Sequence, residues 1–366
     1  MPGSQTSIEG SHQPDVHLFH HSFSEGGGAE RYSRDIADEL VRRGRNVIFH
    51  ARRVDEHIAR PGGLELRPVH SGTFPRKLKD FYYHRKIAAL APTLCGTQFA
   101  MTRVPVRDGE ICGGTHRGYF LNAGKWMGLF DRLQVAMEMK SYHFCRRMIS
   151  HSHLCAGELQ DLYGLPEERV VTIHPPADLN KFSPASAEHR SEIRRRLELP
   201  EGRTVFAFPS SGHKRKGLYP LIDAMKPFGD QVILVVAGSP PGRVPEFVRY
   251  LGHLKSDEVA DLYRAADFTA MASYYEPFGL VGVESVLCGT RVVFEQKMGC
   301  LEVIRPGASL RFDVWRAESI RQSVADAIAQ FKAGVHRLEN PADELTYDPS
   351  VETHVTRVME VLEPAA

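Results

Sequence analysis

The sequence predicts an α/β protein built from two doubly wound domains. Short apolar strands alternate with amphipathic helices along the 366 residues. The alternation continues through both halves of the chain. In each half a loop rich in glycine or cations joins a strand to a helix, at the end where open parallel sheets bind their ligands. A chain of this length holds two domains of about 150 residues, each large enough for its own core. The formal net charge of +1 gives no global field for nucleic acid or an acidic polymer, so any charged partner is met locally.

Met1 to Pro14 is polar, and no positively charged start is followed by an apolar run. The expectation is a disordered tail (1–14), no signal peptide and no transmembrane span. Cys95, Cys112, Cys145, Cys155, Cys288 and Cys300 lack C-x-x-C spacing and read as reduced cytoplasmic thiols, neither a disulfide frame nor a zinc site. Val16 to Phe19 is a strand and His20 to Glu30 a glycine loop. An amphipathic helix with Ile36, Leu40 and Val41 follows, Gly44 stops it, and Asn46 to His50 is the next strand. A dinucleotide site competes for this loop, but Gly26, Gly27 and Gly28 are consecutive and do not follow G-x-G-x-x-G.

Two stretches mix cations with aromatics. One is Phe74 to Leu90, with Arg76, Lys77, Lys79, Phe81, Tyr82, Tyr83, Arg85 and Lys86; the other is Lys125 to Phe130, running into a helix through Val135, Met139 and Tyr142. Such segments suit a membrane surface, where apolar side chains enter the interface and cations meet anionic lipid. A core-packing helix with a charged outer face has the same pattern. Between them, Gly113 to Tyr119 places His116 between glycines, which predicts an exposed loop close to a ligand; a lone histidine also serves as a satisfied structural residue. His151 and His153 would share a face if strand alternation held, but no third ligand is evident nearby, so the reading is no metal.

Leu162 to Pro166 closes a helix and Arg169 to Ile173 is a strand. The chain then reads as domains at 15–175 and 176–348 and a terminal helix at 349–366. Thr204 to Phe208 is the first strand of the second half. The loop after it crowds Lys214, Arg215 and Lys216 into one turn, a planar fork and a point charge suited to phosphate oxygens, although solvated charge runs are common. Val232 to Gly238, Phe247 to Gly252, Ser256 to Ala265 and Phe268 to Met271 continue the alternation, with Ser256 as the expected N-cap. Val292 to Phe294 is a further strand and Val351 to Leu362 the last helix.

The most constraining stretch is Glu276 to Glu284, Glu-Pro-Phe-Gly-Leu-Val-Gly-Val-Glu. It joins a strand to a helix marked by Leu280, Val283, Val286 and Leu287. Gly279 allows close backbone approach, and the free N–H groups of the first turn favour an anion. Glu284 lies roughly 6–8 Å along the axis and leans back toward the helix start. The order is carboxylate, phosphate nest, carboxylate, which is the shape of a nucleotide-sugar. An ordinary acidic helix start would look alike.

Glu276 to Glu284 resembles the E-x7-E motif of the retaining family-4 glycosyltransferases, which have the GT-B architecture of two Rossmann-like domains facing a cleft. Gly-Gly-Gly-Ala-Glu-Arg at 26–31 is similar to that family's first glycine loop, and 177–184 to its interdomain segment. Arg215-Lys216-Gly217 looks like the donor-diphosphate clamp of bacterial lipopolysaccharide core glucosyltransferases, and Gln296 to Leu301 like the loop that packs on the donor sugar. The resemblance implies donor contacts from Gly27, Gly28, Arg215, Lys216, Leu254, Glu276, Phe278, Gly279, Leu280, Val281 and Glu284, with His253 beside Leu254 near the base. It implies catalytic roles for His116, Arg215, Lys216 and Glu276, and a C-terminal helix that returns to the N-terminal domain.

What the resemblance further implies is retaining transfer of a hexose, glucose first, from a UDP-sugar to a lipopolysaccharide core or related glycolipid. It implies no metal and no cofactor, and an enzyme in the cytoplasm, peripheral on the inner membrane. Three rivals remain open: a GDP-mannose-dependent mannosyltransferase for capsule or O-antigen, a UDP-sugar epimerase of the same two-domain build, and a periplasmic-type sugar-binding protein, against which the cationic clamp speaks.

Overall fold

A computed structural model describes residues 15–25, 27–70 and 78–363. Gly26, the tail before residue 15, and Phe74, Arg76 and Lys77 of the first basic stretch lie outside the described residues. The chain forms two parallel sheets. The first contains β1 (Val16–Phe23), β2 (Val47–Val54), β3 (Leu64–Pro68), β4 (Thr97–Ala100), β5 (Gly109–Cys112), β6 (Arg147–Ser150) and β7 (Val170–Thr172), in the order 3-2-1-4-5-6-7. The second contains β8 (Thr204–Ser210), β9 (Val232–Gly238), β10 (Val248–Tyr250), β11 (Phe268–Met271), β12 (Arg291–Glu295) and β13 (Ser309–Phe312), in the order 10-9-8-11-12-13.

Helices fill the crossovers. They are α1 (Gly28–Arg42), α2 (Lys79–Leu90), α3 (His116–Asn122), α4 (Leu129–Phe144), α5 (His153–Asp161), α6 (Ala187–Arg196), α7 (Leu218–Met225), α8 (Ser256–Ala265), α9 (Leu280–Leu287), α10 (Ala317–Lys332) and α11 (Val351–Leu362). These are two Rossmann-like α/β layers, as the sequence predicts. Each strand order reverses once, between β1 and β4 and between β8 and β11, and at such switch points the loops leaving neighbouring strands diverge and open a crevice. By its contacts the chain divides into one unit of 1–111, 136–148 and 358–366, and another of 112–135 and 149–357.

In the first unit β1 is central, with Val16, Leu18 and Phe19 fully buried. The strand runs four residues beyond the predicted Phe19. His20, His21 and Ser22 read as loop residues because they are polar, yet the backbone stays paired as far as Phe23 opposite Val54, and His20 Nδ1 is satisfied locally by Ser22. α1 buries Tyr32, Ile36, Ala37 and Leu40, and Gly44, in the left-handed region, donates its N–H to the Val41 carbonyl to end it. The end of α11 is tied in by Arg45 to Glu363 at 2.7 Å and by Arg146 to the Leu362 carbonyl.

In the second unit Phe206, Phe208, Leu234, Phe268 and Val292 form a continuous apolar core with α7, α9 and α10. Buried Asp267 accepts from Arg190 at 2.6 Å and from the Val205 N–H at 2.8 Å, which seats α6 on the sheet. One cap differs from expectation. Ser256 is inside α8 and Lys255 is the cap residue, because the Glu258 carboxylate reaches back to the Lys255 N–H at 2.6 Å. All six cysteines are free thiols, and among the described residues no helix is long and apolar enough to cross a membrane.

Two core histidines couple this packing to pH. Burial, then His17 and Arg67, pull His50 down to about 4; burial, with Arg357 and His174 against a hydrogen bond to the His174 carbonyl, pulls His354 down to about 4. The unfolded chain binds these protons near the ordinary 6.5, so between about pH 6.5 and 4 it holds more protons than the folded chain. Their contribution is therefore complete above about 6.5 and falls with pH by up to about 1.4 kcal/mol per unit for each histidine. Urea midpoints should drop between about pH 7 and 5, and the drop should shrink in His50→Phe; an unchanged slope would remove His50 from this role.

Candidate active site

The site begins with two loops that leave neighbouring parallel strands, β8 and β11. The β8 loop, 211–217, ends in Gly217, which is in the left-handed region at φ 70° and caps α7. A Cβ on Gly217 would lie 1.9 Å from the Ala272 carbonyl oxygen, so only glycine lets this loop lie flush against the end of β11. The Tyr274 N–H donates to the Arg215 carbonyl at 3.1 Å and joins the two loops through their backbones.

This register places three charges together. Arg215 Nη1 donates to Glu276 Oε2 at 3.1 Å and to the Tyr275 carbonyl at 3.1 Å, while Lys216 Nζ stands 3.7 Å from the same carboxylate oxygen. The Lys216 and Glu276 side chains are 16% and 14% exposed. They are screened less than surface charges yet remain open to a ligand. Gly279, at φ 88°, starts α9, which has no side-chain cap; the first-turn N–H groups of a helix, here those of Leu280 and Val281, are the ones that favour an anion.

The remaining predicted residues fall as follows. Glu284 is one turn into α9, 7% exposed, and accepts from the Tyr263 hydroxyl at 3.3 Å. Phe278 is packed in the core, and Leu280 and Val281 are half-buried against it. Leu254 packs, with Leu251, on a separate cluster around Ile193, Leu199 and Val205. In the other unit Gly27 is the cap residue of α1 and Gly28 its first residue, with nothing within 4 Å of where a Gly28 Cβ would stand.

His116 is not in a loop, as its glycine neighbours suggest. It opens α3, because Thr115 caps that helix by accepting the Gly118 N–H at 2.9 Å. The same threonine belongs to a buried network that the sequence did not reveal. Thr115 Oγ1 and the Tyr275 hydroxyl each donate to Glu158 Oε2 at 2.7 Å, and the Thr115 N–H donates to the Tyr275 oxygen at 3.0 Å. Burial and the adjacent Glu158 carboxylate hold the Tyr275 phenol far above its ordinary range, so it stays a donor. Since Tyr275 precedes Glu276, this network carries the segment bearing His116 to the Glu276 turn. Ser152 adds a bond of 2.6 Å to the Pro277 carbonyl. Serine and threonine just before helices are legible as caps, whereas Glu158 gave no local signal.

The histidine pair is also corrected. β6 ends at Ser150, Ser152 caps α5, and His153 lies on that helix, so alternation does not relate it to His151. His153 stands instead with His174 and Glu302, whose side-chain nitrogen and oxygen atoms lie within 4.8 Å of one another; His151 is not part of that group.

Comparison with known proteins agrees with this geometry. Residues 26–181 match the glycosyltransferase family 4 domain, and residues 189–333 match the domain of glycosyl transferases group 1. A probable transglycosylase of Burkholderia thailandensis is 38% identical over 346 residues, which cover 93% of this chain and 94% of that protein. Among solved structures, WaaG, a glycosyltransferase involved in lipopolysaccharide biosynthesis, superposes with a TM-score of 0.80 at 17% identity, covering 96% of this chain and 100% of WaaG. Anabaena Alr3699/HepE in complex with UDP and glucose superposes with a TM-score of 0.71 at 18% identity, over 96% and 100% of the two chains.

The flush contact at Gly217 gives a direct test. Gly217→Ala combines a left-handed alanine with a backbone clash and should cost about 2–4 kcal/mol in urea unfolding. Gly212→Ala, where nothing stands within 4 Å, should change stability by less than about 0.5 kcal/mol. Equal effects at the two glycines would mean that the loop contact does not set the register.

Proposed function

The chain belongs to glycosyltransferase family 4, of GT-B architecture, and we propose that it moves a hexose, glucose first, from a UDP-sugar to a lipopolysaccharide core or related glycolipid with retention of configuration. The observation that carries this reading is the pairing of Arg215 and Lys216 with Glu276 beside the uncapped start of α9. Breaking a bond from sugar to diphosphate develops negative charge on the leaving oxygen. Two cations and a helix start fixed in advance stabilise that charge, and they do so without a divalent metal in the chemical step. When the diphosphate takes the cations, Glu276 is released to accept hydrogen bonds from sugar hydroxyls. Retention follows if the leaving phosphate takes the acceptor proton on the face it departs from; His116 is assigned to the acceptor side.

The donor assignment draws on HepE, solved with UDP and glucose, and the acceptor on WaaG, a glycosyltransferase involved in lipopolysaccharide biosynthesis. The name of the Burkholderia relative raises a second reading, transglycosylation, in which the donor is itself a glycoside. A glycoside donor carries no diphosphate for Arg215 and Lys216 to hold. The acceptor reading also places the enzyme at the cytoplasmic face of the inner membrane. Trp126 is 97% and Leu129 79% exposed, with Leu121 and Leu133 also exposed nearby, and Lys125 and Arg132 supply cations to the same segment.

Thermal unfolding against UDP-, GDP- and ADP-sugars without metal tests the donor. At 100 times its Kd the correct donor adds about 2.7 kcal/mol to stability. A shift selective for UDP-sugars, together with turnover lowered about 10²–10³-fold in Lys216→Ala, is the expected outcome. A GDP-selective shift replaces the donor, UDP-sugar consumption without acceptor points to an epimerase, and transfer from a glycoside with no nucleotide present favours transglycosylation.

Vesicle cosedimentation tests the membrane contact. Trp126→Ser should weaken binding to vesicles containing anionic lipid roughly tenfold or more, because burying a large apolar side chain contributes about 1.5–3 kcal/mol. Unaltered binding would remove this segment from the membrane surface.

A further inference from the structure

We propose that His153, His174 and Glu302 form a site for one divalent transition ion of the zinc type, outside the groups assigned to the transfer reaction. The three side chains come from separate segments: the first residue of α5, the stretch after β7, and the short turn Gly299–Glu302. His174 Nε2 is 2.7 Å from Glu302 Oε1, and the His153 and His174 rings stand edge to face with centroids 6.0 Å apart. Tetrahedral zinc, bound at about 2.0–2.2 Å, sets its ligand atoms about 3.3 Å apart. The pair at 2.7 Å opens slightly to admit the ion, and a turn of the exposed His153 ring brings its nitrogen, already within 4.8 Å of the other two ligand atoms, to the same spacing. The fourth position is left to water.

The surroundings fix two of the ligands, His174 and Glu302, before an ion arrives. The His174 ring lies between Phe278 at 5.8 Å and Tyr347 at 5.3 Å, and its carbonyl accepts from the buried His354 Nδ1 at 2.9 Å. Both Glu302 oxygens accept the His153 backbone N–H, at 3.0 and 3.1 Å, which orients the carboxylate and offsets the positive start of α5. The ion takes the place of the hydrogen bond between Nε2 and Oε1. Two imidazoles and one carboxylate select zinc-like ions over magnesium, which requires an octahedral oxygen shell.

The consequence is mechanical. The turn that carries Glu302 also donates the Gly299 N–H to the Glu276 carbonyl at 3.1 Å and the Cys300 N–H to the Phe278 carbonyl at 2.7 Å. An ion here bolts the backbone of the Glu276 turn to α5 and to the segment after β7. It is a structural clamp that touches no reacting atom.

The test uses the purified full chain, stripped with a chelator, in a Cys95→Ser background that removes the exposed thiol. Zn²⁺ is titrated in competition with a chromophoric chelator near neutral pH, in the parent and in His153→Ala and Glu302→Gln; His153 is exposed, so its variant keeps the fold. The expected result is one equivalent per chain, affinity lowered by more than about 10-fold in each variant, and a zinc-dependent rise in Tm that both variants lose. Absence of competition, unchanged affinity in the two variants, or equal binding of Mg²⁺ each overturns the site. None of these readouts involves turnover, so the outcome is independent of whether the proposed transfer reaction is correct.

Discussion

Glu276 Oε2, held between Arg215 and Lys216, is the interaction on which the candidate site depends. Two cations on adjacent residues repel each other and would splay a loop that had no counter-charge. A carboxylate at 3.1 and 3.7 Å offsets that repulsion in a partly screened setting where charge interactions are stronger than at a free surface. The sheet order makes this meeting possible. Strands β8 and β11 are neighbours at the reversal point although β9 and β10 separate them in sequence, so the loops following them emerge side by side.

The position of that carboxylate is enforced from behind. Tyr275 is nearly buried, and its hydroxyl is committed to Glu158, which accepts a second donor from Thr115. A buried carboxylate is tolerable only with such donors, and removing either one weakens the compensation for its burial. Each of the three residues therefore holds the other two in place. Because Tyr275 is joined to Glu276 by one peptide bond, the network limits how far the Glu276 turn can drift. Gly217 acts from the other side, where the close backbone approach to Ala272 sets the depth at which the Arg215 loop sits.

How much of this was legible follows from which forces are local. A strand such as Val232–Gly238 is a continuous apolar run between glycine and polar punctuation, and a strand buried on both faces has to look that way. The Arg215 and Glu276 turns drew notice as cations, carboxylates and glycines at strand-to-helix joins, and the structure brings those side chains together. β1 was read too short because His20 to Ser22 are polar, and only tertiary pairing shows that their backbone belongs to the sheet. The helix at His116 was hidden by flanking glycines, although Thr115 three residues before Gly118 carried the cap. Ser256 was misread since the bond that starts α8 is supplied by Glu258 reaching back, not by the serine. Glu158, and the meeting of Glu302 with His153 across 149 positions, leave no trace in spacing because nothing local depends on them.

Within the proposed reaction, the charge balance of the site gives Glu276 two successive partners. Before the donor binds, the carboxylate and the two cations sum to a single positive charge, and the carboxylate takes one Arg215 N–H while pairing with Lys216 by charge. A diphosphate brings more negative charge than Glu276 and presents several oxygens, so it wins the cations by electrostatics and by geometry. The displaced carboxylate cannot travel far, since Tyr275 is anchored and Gly279 closes the turn with little room, a Cβ there falling 2.9 Å from Glu276 Cγ. It then needs other donors within reach, and sugar hydroxyls attached to the same diphosphate arrive with the group that displaced it. Binding of phosphate and recognition of sugar are in this way linked through one oxygen atom. A free nucleoside diphosphate would take the cations and leave Glu276 unsatisfied, which favours the intact donor over the spent product at the one place where both bind.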